Sequence, residues 1–168
     1  STTEDIYLQV VRGKTAALFA AACEVGGEIA GVSEDQIVAL RTYGDALGIA
    51  FQIADDLLDY GGDASTTGKN VGDDFRERKL TLPVIKAVAK ADVAERDFWE
   101  RTIQKGNQRD GDLDEALRLI ANHGTMDATR ADALTWSDRA KEAMRVFPDS
   151  DLRQTLIDLP DYVVNRIT

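Results

Sequence analysis

Gln52, Asp55, Asp56 and Asp59 recur at helical spacing inside an otherwise apolar run, Phe51-Gln52-Ile53-Ala54-Asp55-Asp56-Leu57-Leu58-Asp59-Tyr60. Read as an α-helix turning about 100° per residue, the run places all three aspartates within about 60° of Gln52. Asp45 and Gly48 continue that stripe, while Leu47, Ala50, Phe51, Ile53, Ala54, Leu57 and Leu58 hold the opposite arc. Such a stripe is either a solvated acidic face or a seat for a divalent cation. Aspartates outnumber glutamates 21 to 9, so clustering by chance carries weight. The electrostatics favour the ion. Near the end of a helix the macrodipole disfavours each carboxylate by about 0.3–1 kcal/mol, and neighbouring like charges add about 0.2–0.5 kcal/mol per pair. No Lys or Arg stands three or four residues away to offset this. A divalent cation reverses the sign of every one of these terms, and hard oxygen ligands on one face suit Mg²⁺.

A second set of candidates is basic. Thr67-Gly68-Lys69 follows Asp59 by about ten residues, and Arg76, Arg78 and Lys79 come after it, a local excess of cations in an acidic chain. A metal-bound diphosphate would leave charge for these groups to bind; an exposed loop of mixed charge is the competing reading. Lys14 and Thr15, beside Gly13, echo the end of a P-loop, but Leu8 stands where that motif needs glycine and no strand precedes it. Lys14 either reaches a central cavity or extends to solvent.

The elements that carry these residues read as all-helical, since period-2 alternation of Val, Ile and Thr is almost absent. A first helix is expected over residues 3–30, capped at Thr3 and bent at Gly13. A second runs from Ser33 to the Gly61-Gly62 stop. Residues 61–83 have no apolar period and are expected to form a long, partly ordered loop, of the kind that inside a compact domain is usually functional or disordered. Shorter helices are expected over 82–91, 93–105, 113–123, 126–147 and 151–167.

The chain of 168 residues suits one domain with a buried core. Its net charge of −10 opposes binding to nucleic acid or to an anionic membrane. The apolar window 15–32 is interrupted by Glu24 and Glu28, so no transmembrane segment is expected. No export signal is visible, and the single cysteine, Cys23, fits a reducing compartment, so the expected location is cytoplasmic. Asp110-Gly-Asp112-Leu-Asp114 begins like an EF-hand loop but has Glu115 at its sixth position and Ala121 at its twelfth, which leaves a helix start as the better reading. His123 stands at a helix end as a capping group. Trp99, Trp136, Phe98, Phe147 and Tyr162 are expected in packing.

Taken together the motifs resemble the trans polyprenyl diphosphate synthases. Gly48-Ile-Ala-Phe51-Gln52-Ile-Ala-Asp55-Asp56-Leu-Leu-Asp59 matches that family's second aspartate-rich motif. Thr67-Gly68-Lys69, Gly72-Asp73-Asp74 and Lys79-Leu-Thr-Leu-Pro83 follow it, and Lys14-Thr15-Ala-Ala-Leu-Phe19 matches the upstream Lys-Thr motif. The likeness extends to Tyr162-Val-Val-Asn-Arg166, and its wording is closer to long-chain members such as octaprenyl and decaprenyl diphosphate synthases. The resemblance implies an antiparallel helical bundle of the isoprenoid synthase type. It also implies a chemistry in which Mg²⁺ bridges aspartates to an allylic diphosphate, pyrophosphate leaves, and the allylic cation alkylates isopentenyl diphosphate before a proton is lost. Asp55 would be a direct metal ligand, with Asp56 and Asp59 supporting it through water. Lys14, Lys69 and Lys79 would hold the diphosphate, and Thr15 and Gln52 would line the reacting centre.

One departure matters. The first aspartate-rich motif and the basic set that binds isopentenyl diphosphate are absent from this sequence. Residues 1–168 are therefore expected to be the C-terminal part of such a synthase, inactive alone and associating as a homodimer or with the N-terminal half. A non-catalytic interaction subunit is the alternative, and a terpene cyclase a more distant one.

Overall fold

The computed structural model describes residues 3–61 and 71–166, whose regular elements are all helices, with no strand among them. The first expected helix is present as α1 (Glu4–Val11) and α2 (Ala17–Ala30), joined without a break by one π-helical turn at Arg12–Ala16. Thr3 caps α1 by accepting from the Ile6 amide at 3.4 Å. Where a bend is expected at Gly13 the helix makes this π turn, which widens it where Gly13, Lys14 and Thr15 stand. Gly31 (φ 65°) ends α2 with backbone bonds back to Glu28 and Gly27.

The helix that bears the aspartates is α3 (Glu34–Gly61). Ser33 caps it, its hydroxyl accepting from the Gln36 amide while the Gln36 side chain accepts from the Ser33 amide. The remaining elements are α4 (Asp73–Arg76), α5 (Leu82–Lys90), α6 (Val93–Trp99) with a second π turn at Glu100–Gln104, α7 (Asp112–Asn122), α8 (Thr125–Ala143) with a 3₁₀ turn at Met144–Val146, and α9 (Asp151–Asn165). Residues 62–70 of the expected long loop lie outside the described residues, and the short α4 is an ordered part within the rest of it. Four residues are too few to show an apolar period, so nothing in the pattern marks them.

These residues pack as two compact units, one drawn from residues 3–7, 55–61 and 71–130, the other from 8–54 and 131–166. The first centres on Tyr60, Phe75, Val84, Trp99, Leu119 and Ile120. Asp112 adds a buried ion pair to it: its carboxylate receives Arg101 in a fork at 2.7 and 2.8 Å and the Arg109 amide at 2.7 Å. The Arg101 bonds hold this carboxyl below the usual range. That closes the EF-hand question, because the loop's aspartate is occupied in fastening residues 101–112.

In the second unit α3 and the α1–α2 segment touch at backbone distance. A methyl group at Gly44 would lie 2.5 Å from the Phe19 carbonyl oxygen, and one at Gly48 would lie 2.7 Å from the Ala16 Cα. The small residues on the edge of the polar stripe therefore admit a helix. Pro160 sits inside α9, where it lacks the amide that would donate to the Leu156 carbonyl one turn earlier. The buried Tyr43 hydroxyl of α3 donates to that carbonyl instead, at 2.8 Å. Trp136 and Trp99 are buried as expected, but Tyr162 is 68% exposed, a correction to its assignment to packing.

Candidate functional site

The three aspartates share a helix face, and their surroundings then separate them. Asp56 is 4% exposed, and its Oδ2 accepts from the Tyr7 hydroxyl at 2.7 Å and from the Leu82 amide at 3.1 Å. It ties α1 and the start of α5 to α3. Asp59 is also buried; its Oδ2 accepts from the Asp74 amide at 3.1 Å, and its carbonyl from the Gly72 amide at 2.9 Å. Gly72 (φ 82°) leaves no room for a side chain there, since an added Cβ would meet Leu113 at 2.3 Å. Asp55 is only half-buried and is the most accessible of the three.

Lys79 lies on the same unit. Its ammonium reaches Asp74 at 2.8 Å and Glu77 at 2.7 Å, and the hydrogen bond to Asp74, seconded by that to Glu77, raises its pKa above the ordinary lysine value. It is thus charged at any physiological pH and positioned by carboxylates. The expected Lys69, with Thr67 and Gly68, lies outside the described residues.

Lys14, Thr15 and Gln52 belong to the other unit. The Thr15 hydroxyl donates to the Gln52 Oε1 at 3.1 Å, a bond between the π turn and α3. Lys14, in that same turn, is exposed and has no ion pair among the described residues. Arg12 is directed to Asp45 at 3.4 Å, so the acidic stripe is partly neutralised at its N-terminal end.

Among the described residues no three Asp, Glu, His or Cys side chains converge on a closed metal cluster. The donor set nonetheless fits Mg²⁺, an ion that keeps several waters and takes one or two carboxylates together with substrate phosphate. Asp55 offers an accessible hard-oxygen ligand, and buried donors fix the two carboxylates beside it. Sequence reasoning missed Tyr7 and Asp74 as the partners that fix them. Tyr7 is 49 residues from Asp56, a separation that leaves no periodic signal.

The family model described as Polyprenyl synthetase matches residues 1–120. The chain is 40% identical over 166 residues to an all-trans-nonaprenyl-diphosphate synthase (geranyl-diphosphate specific) of Rhodobacter capsulatus, covering 99% of this chain and 50% of the relative. It is 39% identical over 164 residues to the octaprenyl diphosphate synthase of Escherichia coli, covering 98% of this chain and 50% of that enzyme. Among solved structures, a decaprenyl diphosphate synthase from Rhodobacter capsulatus is 65% identical with a TM-score of 0.94, covering 100% of this chain and 52% of that one. A polyprenyl synthase from Caulobacter crescentus, complexed with calcium and isoprenyl diphosphate, is 46% identical with a TM-score of 0.93, covering 100% and 51%. The chain thus spans about half the length of the curated relatives it matches, and by sequence, by its all-helical fold and by the motifs on α3 it belongs to the polyprenyl synthetase family.

Proposed function

We propose that this chain carries the Mg²⁺ and allylic-diphosphate half-site of a polyprenyl diphosphate synthase, a prenyltransferase that elongates an allylic diphosphate with isopentenyl diphosphate. The observation that supports the reading is the difference in burial within one motif: Asp56 and Asp59 are buried and accept from hydroxyl and backbone donors, whereas Asp55 is half-buried and the most accessible of the three. Mg²⁺, when bound, supplies charge that stabilises a leaving pyrophosphate. Lys14, Lys69 and Lys79 hold the diphosphate oxygens, and Asp74 and Glu77 keep the Lys79 ammonium protonated and in place. The Thr15 hydroxyl and Gln52 amide, locked to each other, present dipoles to the reacting carbon. The relative complexed with calcium and isoprenyl diphosphate supports both the divalent ion and the ligand class.

Titration of the purified chain with farnesyl thiodiphosphate tests this: binding is expected with Mg²⁺ present and to vanish with EDTA. Both substrates together with Mg²⁺ are expected to yield no long-chain product, because the first aspartate motif and the second substrate's basic residues are absent from these 168 residues. Long-chain product would overturn the half-site reading, and metal-independent binding would overturn the Mg²⁺ site.

We further place the chain in the cytoplasm and in an assembly. Among the described residues no helix is long and apolar enough to cross a membrane. On α2, Leu18, Val25 and Ile29 recur at helical spacing and are 76%, 53% and 83% exposed, an apolar stripe that favours association with a second copy or with the N-terminal half of a synthase. Light scattering is expected to show mass rising with concentration; a constant monomer mass at high concentration would refute the association.

A further inference from the structure

The unit built from residues 3–7, 55–61 and 71–130 contains a cleft of about 700 Å³ whose lining includes none of Lys14, Thr15, Gln52, Asp55, Asp56, Asp59 or Lys79. Its walls are apolar, with Ile85 and Val88 of α5 and Trp99 and Ile103 of the α6 segment, and Arg78 and Arg96 also line it. We propose that this cleft binds an amphipathic anion, a single phosphate ester or carboxylate head on an apolar tail.

Three observations carry the assignment. First, neither Arg78 nor Arg96 has an ion pair among the described residues, although the chain carries a net charge of −10. Glu100 is the acidic residue of the lining, and Lys105 holds it at 2.7 Å. Two arginines thus line one cleft without an ion pair among the described residues, and the guanidinium fork is suited to oxyanions.

Second, Trp99 is 3% exposed and its indole N–H is buried without an acceptor. Buried indoles almost always find one, so a residue of the cleft lining carries an unsatisfied donor just beneath the surface.

Third, Arg78 is the one described non-glycine residue with positive φ, at 60°. It follows α4 at a position where helices ordinarily place glycine, because a Cβ is strained there. Its side chain lies over Gly106, where an added Cβ would come within 2.5 Å of the Arg78 Nη1. Backbone strain accepted at one residue, and a glycine that makes way for its guanidinium, point to the side chain as what the position requires.

The head would bind Arg78 and Arg96, and the tail would lie along Ile85, Val88 and Ile103, beside the Trp99 ring.

The test is an NMR titration of the full 168-residue chain in EDTA, following the indole N–H resonance of Trp99, assigned through Trp136→Phe. Octyl phosphate and octanoate are the probes; octanol, octyltrimethylammonium and inorganic phosphate are the controls. Saturable movement of the Trp99 resonance with octyl phosphate is expected. Equal binding of octanoate assigns any single anionic head, and its absence assigns a phosphate ester. The Arg78→Gly, Arg96→Gln double variant is expected to bind at least tenfold more weakly while melting no lower than the parent, because glycine relieves the backbone at position 78. Asp55→Ala is expected to leave this binding unchanged, which separates it from the diphosphate site. Retained affinity in the double variant, an equal response to octanol or to inorganic phosphate, or movement of the Trp136 resonance alone would overturn the assignment.

Discussion

Replacing Asp55 by alanine is expected to weaken Mg²⁺-dependent binding of pyrophosphate or a bisphosphonate at least about a hundredfold, or about 2.7 kcal/mol. Asp55 is the half-buried member of the three, so it is the one placed to lend an oxygen to an ion that still carries water. The fold should tolerate the change. A carboxylate within two turns of the end of α3 is disfavoured by the helix dipole by about 0.3–1 kcal/mol, and its removal relieves that term. The melting temperature is therefore expected to stay within a few degrees of the parent while calorimetric binding disappears. Unchanged titration heats in Asp55→Ala would end the metal reading.

Asp56→Ala should behave in the opposite way. Its loss removes the carboxylate that accepts from the Tyr7 hydroxyl and the Leu82 amide, both in residues that are less than a tenth exposed. Each orphaned buried donor costs about 1–3 kcal/mol. A total near 3 kcal/mol corresponds to a fall in melting temperature of about 6–12 °C in a domain of this size. Tyr7→Phe removes one donor and leaves the Leu82 bond intact, so a fall of less than half that is expected. If Asp56→Ala melts like the parent and loses only ligand binding, Asp56 is a ligand and the bracket is incidental. The pair of variants thus divides the aspartate motif into a part that meets the ion and a part that holds the helix.

The sequence made the helices legible because long amphipathic periods and caps such as Thr3, Ser33 and Gly31 are local signals. It made the shared face of Asp55, Asp56 and Asp59 legible for the same reason, since a helix converts spacing into direction. What it could not show is which carboxylate is buried, because the donors to Asp56 come from residues 7 and 82, and no pattern within a helix reports on them. An irregularity at Gly13 was readable, but its π form depends on hydrogen bonds that residue types do not specify. The fork between Arg101 and Asp112 spans a turn of irregular backbone and has no periodic signature. Tyr162 was misplaced because an aromatic residue in a helical pattern says nothing of whether its own face is covered.

The proline within α9 has a further consequence for assembly of the chain. A regular helix offers the same interior-facing surface every turn or two, so a neighbour can slide along it by about 5.4 Å and find similar company. By stripping one amide, Pro160 exposes a single carbonyl, that of Leu156, and Tyr43 supplies the matching hydroxyl. This lock and key sets the vertical alignment of the last helix against α3, and a mis-seated copy would bury two polar atoms without mates.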